Sequence, residues 1–190
     1  MSAIHTDGKS KSEAIRAGLG HPVIDGDGHT IEHLPLFMDY IKQVAGAKVA
    51  DRFLDSLAIS REFRWYSLSA QQRRDQRVAR PSFWAHPTKN TRDRATCMLP
   101  ELLRSRLDEF GTDFIVLYPT VMLYNLGHFD EELRRAACRA SNTMNADLFR
   151  AHADRMTPVA AIPTYTPDEA IEELDYAVNT LGLKAAYIAS

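Results

Sequence analysis

TDFIVLYPT (residues 112–120) contains an unbroken apolar run, FIVLY, which is typical of a strand covered on both faces. Two further strand-like segments follow it, TPVAAIPT (157–164) and KAAYIAS (184–190). DEELRRAACRASNTMNADLF (130–149) has apolar residues at helical spacing, and TPDEAIEELDYAVNTLG (166–182) opens with a capping box and ends on a glycine. Strands that alternate with helices predict a parallel sheet, so the fold class is α/β.

A fourth strand is predicted near the beginning of the chain. HPVIDGDGHTIEHLP (21–35) has a short apolar run at 22–26, and Pro35 fits the first turn of a helix. We expect residues 1–20 to form a flexible N-terminal tail and residues 21–190 to form one domain. Within that domain, residues 61–98 are predicted to be a long, partly helical insertion after the first strand.

The composition is that of a soluble globular protein. Of the 190 residues, 45% are hydrophobic and 25% are charged, and the formal net charge is −2. This balance gives no basic field for nucleic acid, and no apolar run approaches the ~20 residues that span a bilayer. Cys97 and Cys138 do not make a disulfide framework. We therefore expect a cytoplasmic protein that binds neither nucleic acid nor membrane.

Acidic and imidazole side chains alternate where the first strand ends. Asp25, Asp27 and His29 are two residues apart, so in an extended chain they point to one side. Functional sites of parallel α/β folds collect at the carboxyl ends of strands, and a carboxylate with an imidazole suits a divalent ion. Two ligands are too few for a zinc site. The alternative explanation of the DGDG sequence is a turn that bonds its own backbone.

The chain resembles the amidohydrolase-2 branch of the amidohydrolase superfamily, which is related to aminocarboxymuconate-semialdehyde and resorcylate decarboxylases. The resemblance rests on VIDGDGHTIE (23–32), LDEFGTDFIVLYPT (107–120) and the long block 132–188. It implies a distorted TIM barrel that binds one divalent metal, with zinc as the first choice and manganese as the alternative.

By position, the resemblance makes Asp27 and His29 the first two metal ligands. The family pair is often His-x-His or Glu-x-His, so aspartate at the first position is a departure. Glu32 matches an acidic residue that follows the motif in many members. It is predicted to serve catalysis by orienting a ligand.

The implied reaction is metal-dependent hydrolysis or non-oxidative decarboxylation, and the residues do not decide between the two. The expected substrate is a small molecule, an aromatic or carboxylic acid derivative. Arg61, Trp84 and His86 lie in the insertion, and they are predicted to cap the barrel mouth and bind this substrate.

The number of predicted strands is half that of a TIM barrel. A full barrel takes about 250 residues, whereas four strands are predicted here, at about 22–26, 113–118, 157–162 and 184–189. We therefore expect the N-terminal half of a barrel, a catalytically incomplete fragment of a longer enzyme. Open strand edges favour association, so we also expect that the chain can form a homo-oligomer.

Two alternative interpretations come from other functional classes. VIDGDGHT resembles the Asp-x-Asp motif of haloacid-dehalogenase-like phosphatases, in which Asp25 would attack phosphorus and Asp27 would act as acid-base. His29 departs from that motif. The other alternative is a non-enzymatic half-barrel that associates with a partner chain.

Overall fold

The computed structural model describes residues 8–59, 68–77, 91–120 and 122–188. Its strands are β1 (Ile24–His29), β2 (Phe114–Tyr118), β3 (Met156–Ile162) and β4 (Ala185–Ile188). Its helices are α1 (Lys11–Ala17), α2 (Leu34–Ala45), α3 (Ala47–Ile59), α4 (Ala70–Asp75), α5 (Thr91–Met98), α6 (Pro100–Phe110), α7 (Glu131–Phe149) and α8 (Pro167–Asp175). Short helical turns occupy Met122–Asn125, Arg150–His152 and Tyr176–Thr180.

The four strands form a parallel sheet in the order β1-β2-β3-β4. Strands that are consecutive in sequence are therefore neighbours in space, without the reversal of order that a doubly wound sheet has. The sheet curls into half of a barrel, with helices around it. This confirms the predicted α/β class and the partial TIM-like barrel.

The strand bounds follow the predictions closely, except at β1. That strand was predicted at 22–26 but continues through His29, because Gly28 and His29 pair with Leu117 and Tyr118 of β2. Asp27 and His29 are therefore part of the strand end itself. The sequence of β1 alone could not predict this extension, since it depends on pairing with a distant strand.

Helix α7 is buried on two sides and organises the core. On one side, Ala137 and Met144 pack with Phe37 and Ile41 of α2 in the largest apolar cluster. On the other side, Asn142 bonds to both the N–H and the C=O of Ala161 in β3. Burial of one face against helix and the other against sheet fixes α7 over the half-barrel.

Helix α8 begins as the sequence predicted. Thr166 and Glu169 form the capping box, with bonds of 3.3 Å from Glu169 N to Thr166 Oγ1 and 2.7 Å from Thr166 N to Glu169 Oε1. Glu169 also pairs with Arg134 of α7, and both side chains are almost fully buried. The capping residue thus links two helices as well as starting one.

Helix α1 lies within the segment that was predicted to be a flexible tail. The Arg16 guanidinium bonds to Asp113, just before β2, and this bond lowers the pKa of the Asp113 carboxyl below its ordinary value. Gly111 ends α6 with a φ of 71°, and a Cβ there would lie 2.6 Å from the Ser12 carbonyl oxygen. Glycine therefore allows α1 to approach the end of α6 closely.

No helix among the described residues is long and apolar enough to cross a bilayer.

Candidate functional site

The site lies at the carboxyl end of β1, where the strand carries a bulge. Asp25 pairs with Ile115 and Gly28 pairs with Leu117, so β1 has one residue more than β2 over this interval. A Cβ at Gly28 would lie 2.4 Å from Ile115 Cδ1, so glycine allows the two strands to come together after the bulge. Bulges of this kind redirect side chains and are frequent beside functional sites.

Asp27 and His29 lie side by side at this strand end. Asp27 Oδ1 is 4.0 Å from His29 Nε2, and the two side chains are 92% and 25% exposed. The Asp25 carboxylate bonds to the backbone instead, since its Oδ1 accepts a 3.0 Å hydrogen bond from the Asp27 N–H. This bond is local, although residues 25–28 lie in β1 and not in the turn of the alternative explanation.

The opposite edge of the His29 ring faces the turn after β2. His29 Nδ1 is 3.3 Å from Thr120 Oγ1, and the ring lies tilted against Tyr118, with centroids 5.9 Å apart. When Nδ1 carries the proton and donates to Thr120, the Nε2 lone pair remains on the side of Asp27. The sequence did not predict that Thr120 contacts a metal ligand, because 91 residues separate it from His29.

Glu32 is buried behind this contact. Both of its carboxylate oxygens accept bonds from the Thr120 N–H, at 3.1 and 3.2 Å, and Oε1 also accepts from the Met122 N–H at 3.2 Å. Glu32 thus ties the loop after β1 to the turn after β2 and holds Thr120 in place. Its predicted service to catalysis stays a prediction, and these contacts suit an orienting role.

The predicted substrate-binding residues Arg61, Trp84 and His86 lie outside the described residues.

The donor atoms of the pair fit a divalent cation as part of a ligand set. Zinc–nitrogen and zinc–oxygen bonds are about 2.0–2.2 Å long, so two donors of a tetrahedral site lie about 3.4 Å apart. The two atoms, 4.0 Å apart here, need to approach each other by about 0.6 Å to bind one ion in that geometry. Over residues 8–59, 68–77, 91–120 and 122–188, however, no three His, Cys, Asp or Glu side chains cluster to hold a metal. The described part of the chain therefore supplies two ligands, and a complete site needs more.

Comparison with known proteins supports the fold. No protein-family model matches the chain, and no curated protein matches it significantly. Among solved structures, it is similar to 5-carboxyvanillate decarboxylase from Novosphingobium aromaticivorans, crystallised with manganese and 4-hydroxy-3-methoxy-5-nitrobenzoic acid. The TM-score is 0.56 at 18% identity, over 96% of this chain and 44% of the decarboxylase.

A 2,6-dihydroxybenzoate decarboxylase from Rhizobium also aligns, with 19% identity over 87% of this chain and 38% of that enzyme. Its TM-score is 0.47. Both enzymes are amidohydrolase-2 decarboxylases. The chain spans less than half the length of either enzyme. Its fold is similar to that of part of the 5-carboxyvanillate decarboxylase.

Proposed function

We propose that Asp27 and His29 are two ligands of a divalent metal in an amidohydrolase-type enzyme, and that its reaction is non-oxidative decarboxylation. The observation that carries this proposal is the position of the pair at the carboxyl end of a barrel strand, where such folds place their chemistry. The 5-carboxyvanillate decarboxylase that shares the fold binds manganese, which makes manganese the first ion to test and zinc the second.

The chain's own residues have separate tasks in this proposal. His29 Nε2 and Asp27 Oδ1 hold the cation, and Thr120 fixes the His29 ring through Nδ1. Glu32 holds Thr120 by accepting its backbone N–H. When bound, a divalent cation acts as a Lewis acid toward a substrate carboxylate or carbonyl. The substrate class proposed is an aromatic carboxylic acid, and hydrolysis of a carboxylic acid derivative is the alternative reaction.

The remaining metal ligands are proposed to lie outside the described residues. Two protein donors hold a cation weakly compared with the three or four of a complete site. The 190-residue chain is therefore expected to bind manganese weakly and to show no turnover by itself.

The phosphatase alternative receives less support than the metal site. Asp25, its proposed nucleophile, accepts a bond from the Asp27 N–H. The strand order also lacks the switch point at which doubly wound sheets bind their ligands.

The test is an assay of the purified chain and of a full-length protein that contains it, with Mn²⁺ or Zn²⁺ and hydroxylated benzoic acids. Carbon dioxide release from the full-length protein should require Asp27 and His29, whereas the 190 residues alone should release none. Full activity of the His29→Ala protein would overturn the proposal, as would robust turnover by the 190-residue chain after metal removal.

A further inference from the structure

An apolar cavity of about 260 Å³ lies beside the loop that follows β1, between that loop, the junction of α5 with α6, and α7. Eight of its twelve described lining residues are apolar, among them Leu36, Met98, Leu99, Met144, Leu148 and Phe149. A cavity of about 150 Å³ with such a lining stays dry and binds benzene. This cavity is larger, so its volume suits an aromatic molecule of one or two rings.

Asn145 stands out among the buried polar side chains of the described lining, because its amide bonds to no described residue. The residue is 3% exposed. Asn142, one helical turn earlier on α7, shows the contrast: its amide bonds to Ala161 O, Ala161 N and Glu173 Oε1. Buried amides normally have partners, so Asn145 offers a donor and an acceptor to whatever occupies the cavity.

The charges around the cavity select against an anionic ligand. The ionisable residues of the described lining are Glu32 and His33, and the described lining contains neither lysine nor arginine. A carboxylate placed here would be desolvated near Glu32, without a lysine or arginine in the described lining to pair with it. A neutral ligand with one hydrogen-bonding group avoids that cost and satisfies Asn145.

We propose that this cavity is a binding site for a neutral aromatic molecule of one or two rings whose hydroxyl group bonds to Asn145. The site is distinct from the metal pair, because Asp27 and His29 are not among its described lining residues. Its ligand class also differs from the aromatic acid of the proposed reaction, so the two proposals stand or fall separately.

The experiment compares three probes by calorimetry and by amide shifts in ¹H–¹⁵N spectra: 2-naphthol, naphthalene and 2-naphthoate. The wild-type chain should bind 2-naphthol saturably and about fivefold more tightly than naphthalene, the ratio that one net hydrogen bond gives. It should bind 2-naphthoate more weakly than either. Removal of metal ions should leave these affinities unchanged.

Two variants test the location of the site. Asn145→Leu should still bind naphthalene, which also shows that it is folded, and should lose the preference for 2-naphthol. Leu148→Trp should fill the cavity and weaken both probes. The proposal is overturned if the wild type binds neither probe saturably, because the cavity then holds only water. It is also overturned if Asn145→Leu keeps the preference, if Leu148→Trp binds like wild type, or if 2-naphthoate binds as well as 2-naphthol.

Discussion

Replacing Thr120 with valine tests how His29 is oriented. Valine keeps the branched shape of threonine and the backbone N–H that bonds to Glu32, but it removes the hydroxyl 3.3 Å from His29 Nδ1. This distance is slightly longer than that of a usual N–H···O hydrogen bond. We therefore expect a weak bond, with a net free energy of about 0.5–1 kcal/mol. That free energy corresponds to about a two- to fivefold change in the ratio of the His29 tautomers.

Mn²⁺ affinity should fall by a similar factor in Thr120→Val, because the tautomer with its proton on Nδ1 is the one that leaves Nε2 as a donor. The ¹⁵N shifts of the neutral His29 ring report the tautomer ratio without metal, and electron paramagnetic resonance of free Mn²⁺ reports the affinity. Thr120→Ser is the matched control, since it keeps the hydroxyl. Unchanged shifts and affinity in Thr120→Val, or equal losses in the serine variant, would refute this role of Thr120.

Two further perturbations follow from other contacts. Glu32→Ala removes the acceptor of two backbone N–H groups and should lower the free energy of unfolding by about 2 kcal/mol. An unchanged free energy of unfolding in calorimetry would contradict the role of Glu32 in holding the turn after β2. Burial raises the pKa of Glu173 despite bonds from Asn142 and Arg139, so the folded state holds the proton more tightly. Stability should therefore fall as pH rises from about 4.5 through the raised pKa, and urea unfolding of Glu173→Gln should show a flatter dependence.

The sequence predicted the elements of the fold well because their signals are local. The apolar run of β2, the capping box of Thr166 and Glu169, and the glycine after α6 each depend on residues within a few positions. Alternation of these elements then restricts the sheet to parallel pairing. The half-barrel followed from that order together with the family resemblance.

The site was predicted only in part, because its other contacts join distant parts of the chain. Alternation in Asp-x-Asp-x-His placed Asp27 beside His29, but it also grouped Asp25 with them, and the bulge was not foreseen. Glu32 and Thr120 are 88 residues apart, so only the paired strands show that they meet. A threonine directly after an apolar strand, as in YPT, is the one local signal that could have suggested Thr120.

The unpartnered Asn145 had no signal in the sequence. It occupies α7 three residues after Asn142, and the two residues are chemically identical. Only their surroundings distinguish them, since one faces Ala161 in β3 and the other faces an apolar cavity. Buried polar groups of this kind depend on packing that local patterns do not encode.

Paramagnetic broadening by Mn²⁺ tests most directly whether Asp27 and His29 share one cation. Substoichiometric Mn²⁺ should broaden the amide signals of residues 27–30 and of Thr120, and His29→Ala or Asp27→Asn should remove this broadening. His21→Ala changes an exposed histidine before β1, and it should leave the broadening intact. Broadening that persists in His29→Ala, or that is centred on residues remote from the end of β1, would contradict a shared metal site.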